Sequence, residues 1–283
     1  MPKRISTARG REFGAGIRAA LTEAGLTSRD AAAICEWDPS KVSDMTNGKG
    51  GVSQLEVATF LGVCRVRAAE LAHLMSLHSD THIRGWWQQH GVYAPVWLRT
   101  LVEHLKLAKT VTSWHTHLIP VFLREAEYVL EVQHASATAP REELQERVQA
   151  QLALQELIKY GVNRTFYIDE SALHRKIGGF EAHSKQMMHL VRMANLPNVT
   201  IKVLPSSRGA HAGLAGPFTR LTFDQYEPLV WVEAENSSLF IESQDAIKGY
   251  EKVISALEEA SLSDAESLEL IASLYAETKD SYA

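Results

Sequence analysis

The stretch "GLTSRDAAAICEWDPSKVSDMTNG", residues 25–48, decides how the first part of the chain folds. Gly25 stops a preceding helix in which Phe13, Ile17, Ala20 and Leu21 recur at helical spacing. Thr27 then reads as an N-cap with Asp30 as its capping-box partner. Ala31, Ala32 and Cys35 form the inner face of the helix that follows. Asp38 with Pro39 starts a third helix, because an acidic cap satisfies exposed N–H groups and proline suits the first helical position. Val42 and Met45 face inward, and Asn47-Gly48 ends the helix.

Working outward, helical patterns at roughly 53–61 and 65–77 bring Leu55, Val57, Ala58, Leu61, Leu71 and Leu74 to the same core. Five small helices make a compact all-α domain over residues 1–79, and residues 79–93 form a boundary in which Trp86 and Trp87 pack in part. Residues 80–283 change texture. Helical patterns at 95–109, 124–134, 141–160, 181–195, 243–260 and 264–278 alternate with the strand runs "VTSWH", "RTFYID", "VTIKVL", "FTRLTF", "LVWVEA" and "SLFIES". Connections from "VTIKVL" onward are too short for a helix, which predicts antiparallel neighbours. The second part is α+β with a mixed or antiparallel sheet.

With 283 residues, 45% hydrophobic and 22% charged, the chain suits a globular protein of two domains. No apolar run approaches the ~18–20 residues of a membrane span, and "MPKRISTARG" lacks a signal-peptide core, so a cytoplasmic protein is expected. Cys35 and Cys64 sit at helical apolar positions and read as reduced thiols. A net charge of −5 excludes a nonspecific nucleic-acid coat. Residues 1–80 hold ten basic against nine acidic groups, and residues 81–283 nineteen against twenty-five. Near the start, Lys3, Arg4, Arg9, Arg11 and Arg18 face Glu12 alone. That segment suits phosphate tracking, while residues 1–9 read equally well as a solvated tail.

Two helices joined by a tight turn, with small residues where they touch and small polar side chains opening the second, suit the reading of a DNA groove. Ala31 and Ala32 allow the close approach, Glu36-Trp37 fills the turn, and Pro39, Ser40, Lys41, Ser43 and Asp44 point outward. Ser and Lys suit base edges, and Asp accepts from cytosine N4. Residues 13–77 resemble the lambda-repressor-like (Cro/CI-type, XRE) helix-turn-helix family. Gly25, Leu26, Thr27, Ala32, Ser40, Val42, Ser43, Asn47 and Gly48 carry the match. The resemblance implies that Ser28 and Arg29 grip backbone phosphate. It sets Ser40, Lys41, Ser43 and Asp44 on the base- and backbone-facing side, with Asn47 and Lys49 at the end. Trp37 departs from a smaller aliphatic residue and Asp44 from a frequent cation. A helix-turn-helix serving protein contact alone is the other reading of this unit.

In the second part, "LPSSRGAHAGLAGPF", residues 204–218, has enzyme-like composition. It matches neither a phosphate-binding glycine loop nor a nucleophile elbow, so architecture or a ligand or partner contact is expected. His115 and His117 would share a strand face, but no HExxH or C-x-x-C accompanies them. No acid, base and nucleophile set assembles, so no enzyme, metal or cofactor is expected. "DESALHRKIGG" reads as a capped helical turn.

Residues 86–277 resemble the C-terminal domain, of unknown function, that many actinobacterial helix-turn-helix regulators share. "LIPVFLREAEYV", "DESALHRKIGG", "LPNVTIKVLP", "GAHAGLAGPF" and "WVEAENSSLFIES" carry that likeness, with departures at Val121 and Arg124-Glu125. The resemblance implies an antitoxin-like or developmental regulator encoded beside a small partner protein. The expectation is therefore a homodimer reading a palindromic operator in double-stranded DNA. Its second part would supply dimerisation and partner or effector binding. The alternative is an interaction protein that neutralises a small partner and binds DNA for autoregulation.

Overall fold

The computed structural model describes residues 6–49, 51–89, 96–138, 140–157, 161–235 and 237–280. Lys3 and Arg4, residue 95 of the helix expected at 95–109, and residues 158–160 of that expected at 141–160 lie outside them. The chain opens with α1 (Ala8–Ala24), α2 (Ser28–Ile34), α3 (Pro39–Thr46), α4 (Gln54–Val63) and α5 (Ala68–Ser79). Four of the five helices, α1 to α4, are started by a side-chain cap. Thr7 accepts from the Gly10 N–H, Thr27 and Asp30 form a reciprocal capping box, and Ser53 with Glu56 forms a second. Gly25 and Gly48 end α1 and α3 at φ of 67°, a conformation that glycine adopts without a Cβ penalty.

Phe13, Ile17, Ala31, Ala32, Val42, Met45, Val57, Phe60, Leu61 and Leu74 form the buried core of this part. Leu55, expected inside, is 77% exposed. The spacing that buries Val57, Phe60 and Leu61 turns position 55 to the opposite side of α4. Packing of α1 on the end of α3 is backbone-close. A Cβ on Gly48 would lie 2.0 Å from the Gly10 carbonyl oxygen, and one on Gly14 would lie 2.6 Å from that of Thr46.

The second part contains β1 (Trp86–Gln89), α6 (Val96–Leu107), β2 (Thr110–His115), α7 (Ala126–Ala135), α8 (Leu144–Leu157), β3 (Asn163–Asp169) and α9 (Glu170–His174). There follow α10 (Gly179–Ala194), β4 (Val199–Leu204), β5 (Phe218–Thr222), β6 (Leu229–Ala234), β7 (Ser237–Ile241), α11 (Gln244–Ala260) and α12 (Asp264–Asp280). One seven-stranded mixed sheet runs in the order β1-β7-β6-β5-β2-β3-β4. Strands β2, β3 and β4 are parallel, joined by helical crossovers, and the remaining pairs are antiparallel.

Two expectations need correction. β4 does not pair with β5: it is the edge strand beside β3, and the chain after it crosses back over the sheet to place β5 on β2. β1 was read as boundary, yet it adds the other edge by pairing with β7. Alternation along the strands fills both faces. Val111, Phe166, Ile168, Ile201 and Trp231 pack with α6, α8, α10 and α12, whereas Trp114, Tyr167, Phe218 and Val230 pack with α11. No helix among the described residues is long and apolar enough to cross a membrane.

The two parts are joined by buried polar groups. Arg11, 3% exposed, ion-pairs with Glu242 at 3.1 Å, donates from Nε to His104 at 2.9 Å, and lies over the Phe223 and Tyr226 rings. Glu242 also accepts from the Ala8 and Gly85 N–H groups. Glu12 accepts from Thr100 at 2.6 Å and meets His73 at 2.9 Å. Arg9 pairs with Asp80 at 2.6 Å and covers Trp86. The expected phosphate-tracking role of the first segment is therefore corrected for Arg9 and Arg11. Both guanidiniums bind the protein itself. Burial, with the Arg11 charge adding, pushes the His104 imidazole down to about 3.

Candidate nucleic-acid interface

Seven of the nine expected contact residues lie on α2 and α3, with Asn47 and Lys49 just beyond. The turn between the helices is closed by Glu36 in the left-handed region, at φ of 57°, which lets α3 leave α2 sharply. Ser28 and Arg29 occupy the first turn of α2 and are exposed. Asp38 caps α3 by accepting from the Ser40 N–H at 2.7 Å, and the Ser40 side chain, with that backbone bond, lowers the Asp38 pKa. Pro39 takes the first helical position, and Ser40 and Ser43 are exposed beyond it.

The charged residues behave differently from the sequence reading. Lys41 forms an ion pair with Glu56 of α4, and its ammonium lies 4.5 Å from the centre of the Trp37 ring. Trp37 in turn stacks on Phe60 at 6.1 Å. The large indole in the turn thus links the α3 face to the core. The Lys41 hydrogen bond, with those from Ser53, draws the Glu56 carboxyl down to about 2. Asp44, which stands where the resembled family often has a cation, pairs with Lys49 at 3.0 Å, so each neutralises the other. Asn47 closes the helix by donating from Nδ2 to the Ser43 carbonyl at 2.6 Å. Arg18 of α1 donates to the Thr46 carbonyl and holds the same end.

Residues 28–49 carry Arg29, Lys41 and Lys49 against Asp30, Glu36, Asp38 and Asp44, a balance of −1. The surface therefore offers exposed hydroxyls at Ser28, Ser40 and Ser43. It has one exposed cation without an ion pair among the described residues, Arg29, and two held in pairs. Sequence reasoning missed Glu56 as a partner of Lys41, since no local spacing links α3 to α4. The Asp44–Lys49 pair carried a readable signal in its short separation across the helix end.

In the second part, the glycine-rich loop is built into the fold. Trp114 Nε1 donates to the Gly213 carbonyl at 2.8 Å, His211 packs edge-on against the Trp114 ring, and its Nδ1 accepts from the Gly213 N–H. A Cβ on Gly213 would meet the indole at 2.4 Å, so the glycine permits this contact. β2 ends at His115, so His117 lies past the strand and bonds Thr116 instead of sharing a face. No cluster of three or more His, Cys, Asp or Glu able to hold a metal occurs among the described residues.

Residues 98–273 match the model of the family described as Domain of unknown function (DUF5753). That span covers most of the second part and leaves the five N-terminal helices and β1 outside it. No curated protein and no solved structure matches the chain.

Proposed function

The chain belongs to the DUF5753 family, and from that premise we propose that it is a dimeric, sequence-specific DNA-binding regulator. Its α1–α5 part reads DNA, and its family domain supplies dimerisation and effector or partner binding. The observation that carries this reading is the α2–turn–α3 unit. A capped helix with a small-residue inner face meets a second helix whose outward side carries Ser40, Ser43 and Lys41. In such a unit the second helix lies in the major groove while the first crosses the backbone. One copy buries little DNA, so two would act together, with recognition helices about 34–36 Å apart on a palindromic site.

Genome-wide mapping of binding sites is the first test. A palindromic motif supports dimeric readout, and absence of enrichment anywhere counts against it. Lys41→Ala should cost ~1–3 kcal/mol at the operator and relax preference at one position. Arg29→Ala should weaken all sequences alike and reduce the salt slope by about one unit. Unchanged operator binding by both variants would remove the site assignment.

A second reading is favoured by the near-neutral charge of this surface together with the exposed side chains of Leu55 and Ile34, 77% and 56% accessible. Here the protein neutralises a small partner encoded beside it and binds DNA chiefly for autoregulation. The two separate on whether that small protein forms a stoichiometric complex with the purified chain, and whether Leu55→Ser abolishes it while sparing DNA binding.

A further inference from the structure

Two adjoining cavities of about 240 and 640 Å³ open on the family domain, and both are lined by Leu118, Arg124 and Glu233. Arg124 is 7% exposed. Its Nε donates to the Ile119 carbonyl at 2.7 Å, and the Ile119 N–H in turn donates to the Tyr128 hydroxyl, which fixes the guanidinium in place. Among the described residues Arg124 makes no ion pair. Glu233 acts on its charge from the shared lining without touching it. A buried cation that no carboxylate contacts is costly, and proteins normally pair it or keep it for a ligand. Two more polar atoms wait in the same place. Gln151, 8% exposed, lines the larger cavity with its Oε1 unpartnered, and His115 lines the smaller with its buried Nε2 unpartnered. Burial pushes the His115 imidazole down to about 3, so it stays neutral.

From these features we infer that the paired cavity binds a small organic anion, its phosphate or carboxylate held by the terminal nitrogens of Arg124. Arg147, which pairs with Glu143, and Arg175 share the lining of the larger cavity, and Arg175 adds positive charge. Glu131, Glu233 and Glu235 also line it. Those carboxylates disfavour a polyanion and select a molecule with one acidic group and hydrogen-bond donors such as hydroxyls or an amine. The donors suit Gln151 Oε1. A volume of about 640 Å³ is that of a metabolite site, and fork-shaped guanidinium recognition suits either kind of acid.

This inference deepens the effector-binding role proposed above and rests on it only for what the ligand would control. Binding is measured without DNA, so the two readings fail separately. The full chain is titrated calorimetrically with inorganic phosphate, adenosine monophosphate and lactate, a hydroxy acid with one carboxylate. Binding of phosphate and the nucleotide over lactate assigns a phosphate to Arg124, and the reverse order assigns a carboxylate. Arg124→Gln and Gln151→Glu should each weaken the bound probe roughly tenfold or more, the second by placing a carboxylate in the cavity, while Lys252→Gln, at an exposed position of α11, leaves it unchanged. If Arg124→Gln does not fold, Gln151→Glu decides. No heat from any probe at millimolar concentration, or equal binding by the folded variants, overturns the assignment.

Discussion

Asp44 and Lys49 show how a residue's chemistry depends on what it touches. Counted from the sequence, Asp44 opposes phosphate and Lys49 favours it. In the structure they hold each other at 3.0 Å, half exposed. An exposed pair of this kind contributes only ~0–1 kcal/mol to stability, so it exchanges readily for a phosphate contact. Asp44→Asn removes the competitor while keeping the shape of the side chain. The expected outcome is tighter operator binding, with a salt slope steeper by up to about one unit, measured by fluorescence anisotropy across a salt series. An unchanged slope would mean that Lys49 does not meet phosphate. Lys41 is held more firmly, between Glu56 and the Trp37 face. Of the site, then, the residue types and their exposure were legible, because Ser28, Arg29, Ser40 and Ser43 stand outward as spacing required. Their charge partners were not, because Glu56 reaches Lys41 from another helix.

At the scale of elements, the helix starts were readable because caps are local. Thr27-Asp30, Asp38-Pro39 and the glycines after α1 and α3 each act within a few residues. Six of the seven strands were readable for the same reason, since alternation is a local pattern, and β1, too short to show it, was not. Pairing was not. β4 lies parallel to β3 because α10 carries the chain back over one face, and no property of "VTIKVL" itself states its neighbour. The contact between α1 and α3 was equally hidden, although its glycines were in view. Gly48 has both a left-handed φ and the Gly10 carbonyl against its Cα. Gly48→Ala should therefore destabilise the protein by about 1–3 kcal/mol or more, through overpacking and backbone strain together. Gly25→Ala shares the strained φ but meets no neighbouring atom, so it should cost less. Chemical denaturation of the two variants checks the order.

At the scale of the whole molecule, the N-terminal core is separate from the two on the faces of the sheet, yet buried polar groups lock the parts together. His104 makes this lock sensitive to acid. Its folded-state pKa, about 3, lies below its ordinary 6.5, so the unfolded chain binds the proton more readily. The stability from the neutral imidazole is whole above pH 6.5 and is lost progressively as pH falls towards 3. His104→Gln should show a smaller fall in melting temperature between neutral and mildly acidic buffer than the parent chain, and an identical fall would refute this. The N-terminal cations misled for a related reason: composition shows that Arg9 and Arg11 are charged, but not that Asp80 and Glu242 lie beside them.

Such a lock also governs geometry at a distance. α3 rests on α1 through glycine contacts, and α1 is riveted to the strand end at Glu242, which couples α3 to the sheet through the described residues. In the proposed dimer, two copies would then behave as a fixed-jaw caliper. Inserting one base pair between operator half-sites shifts them by ~3.4 Å and rotates one against the other, which a tethered head would absorb and this one should not. The expected result is a sharp loss of affinity at a single insertion, with partial recovery when a full helical turn is added.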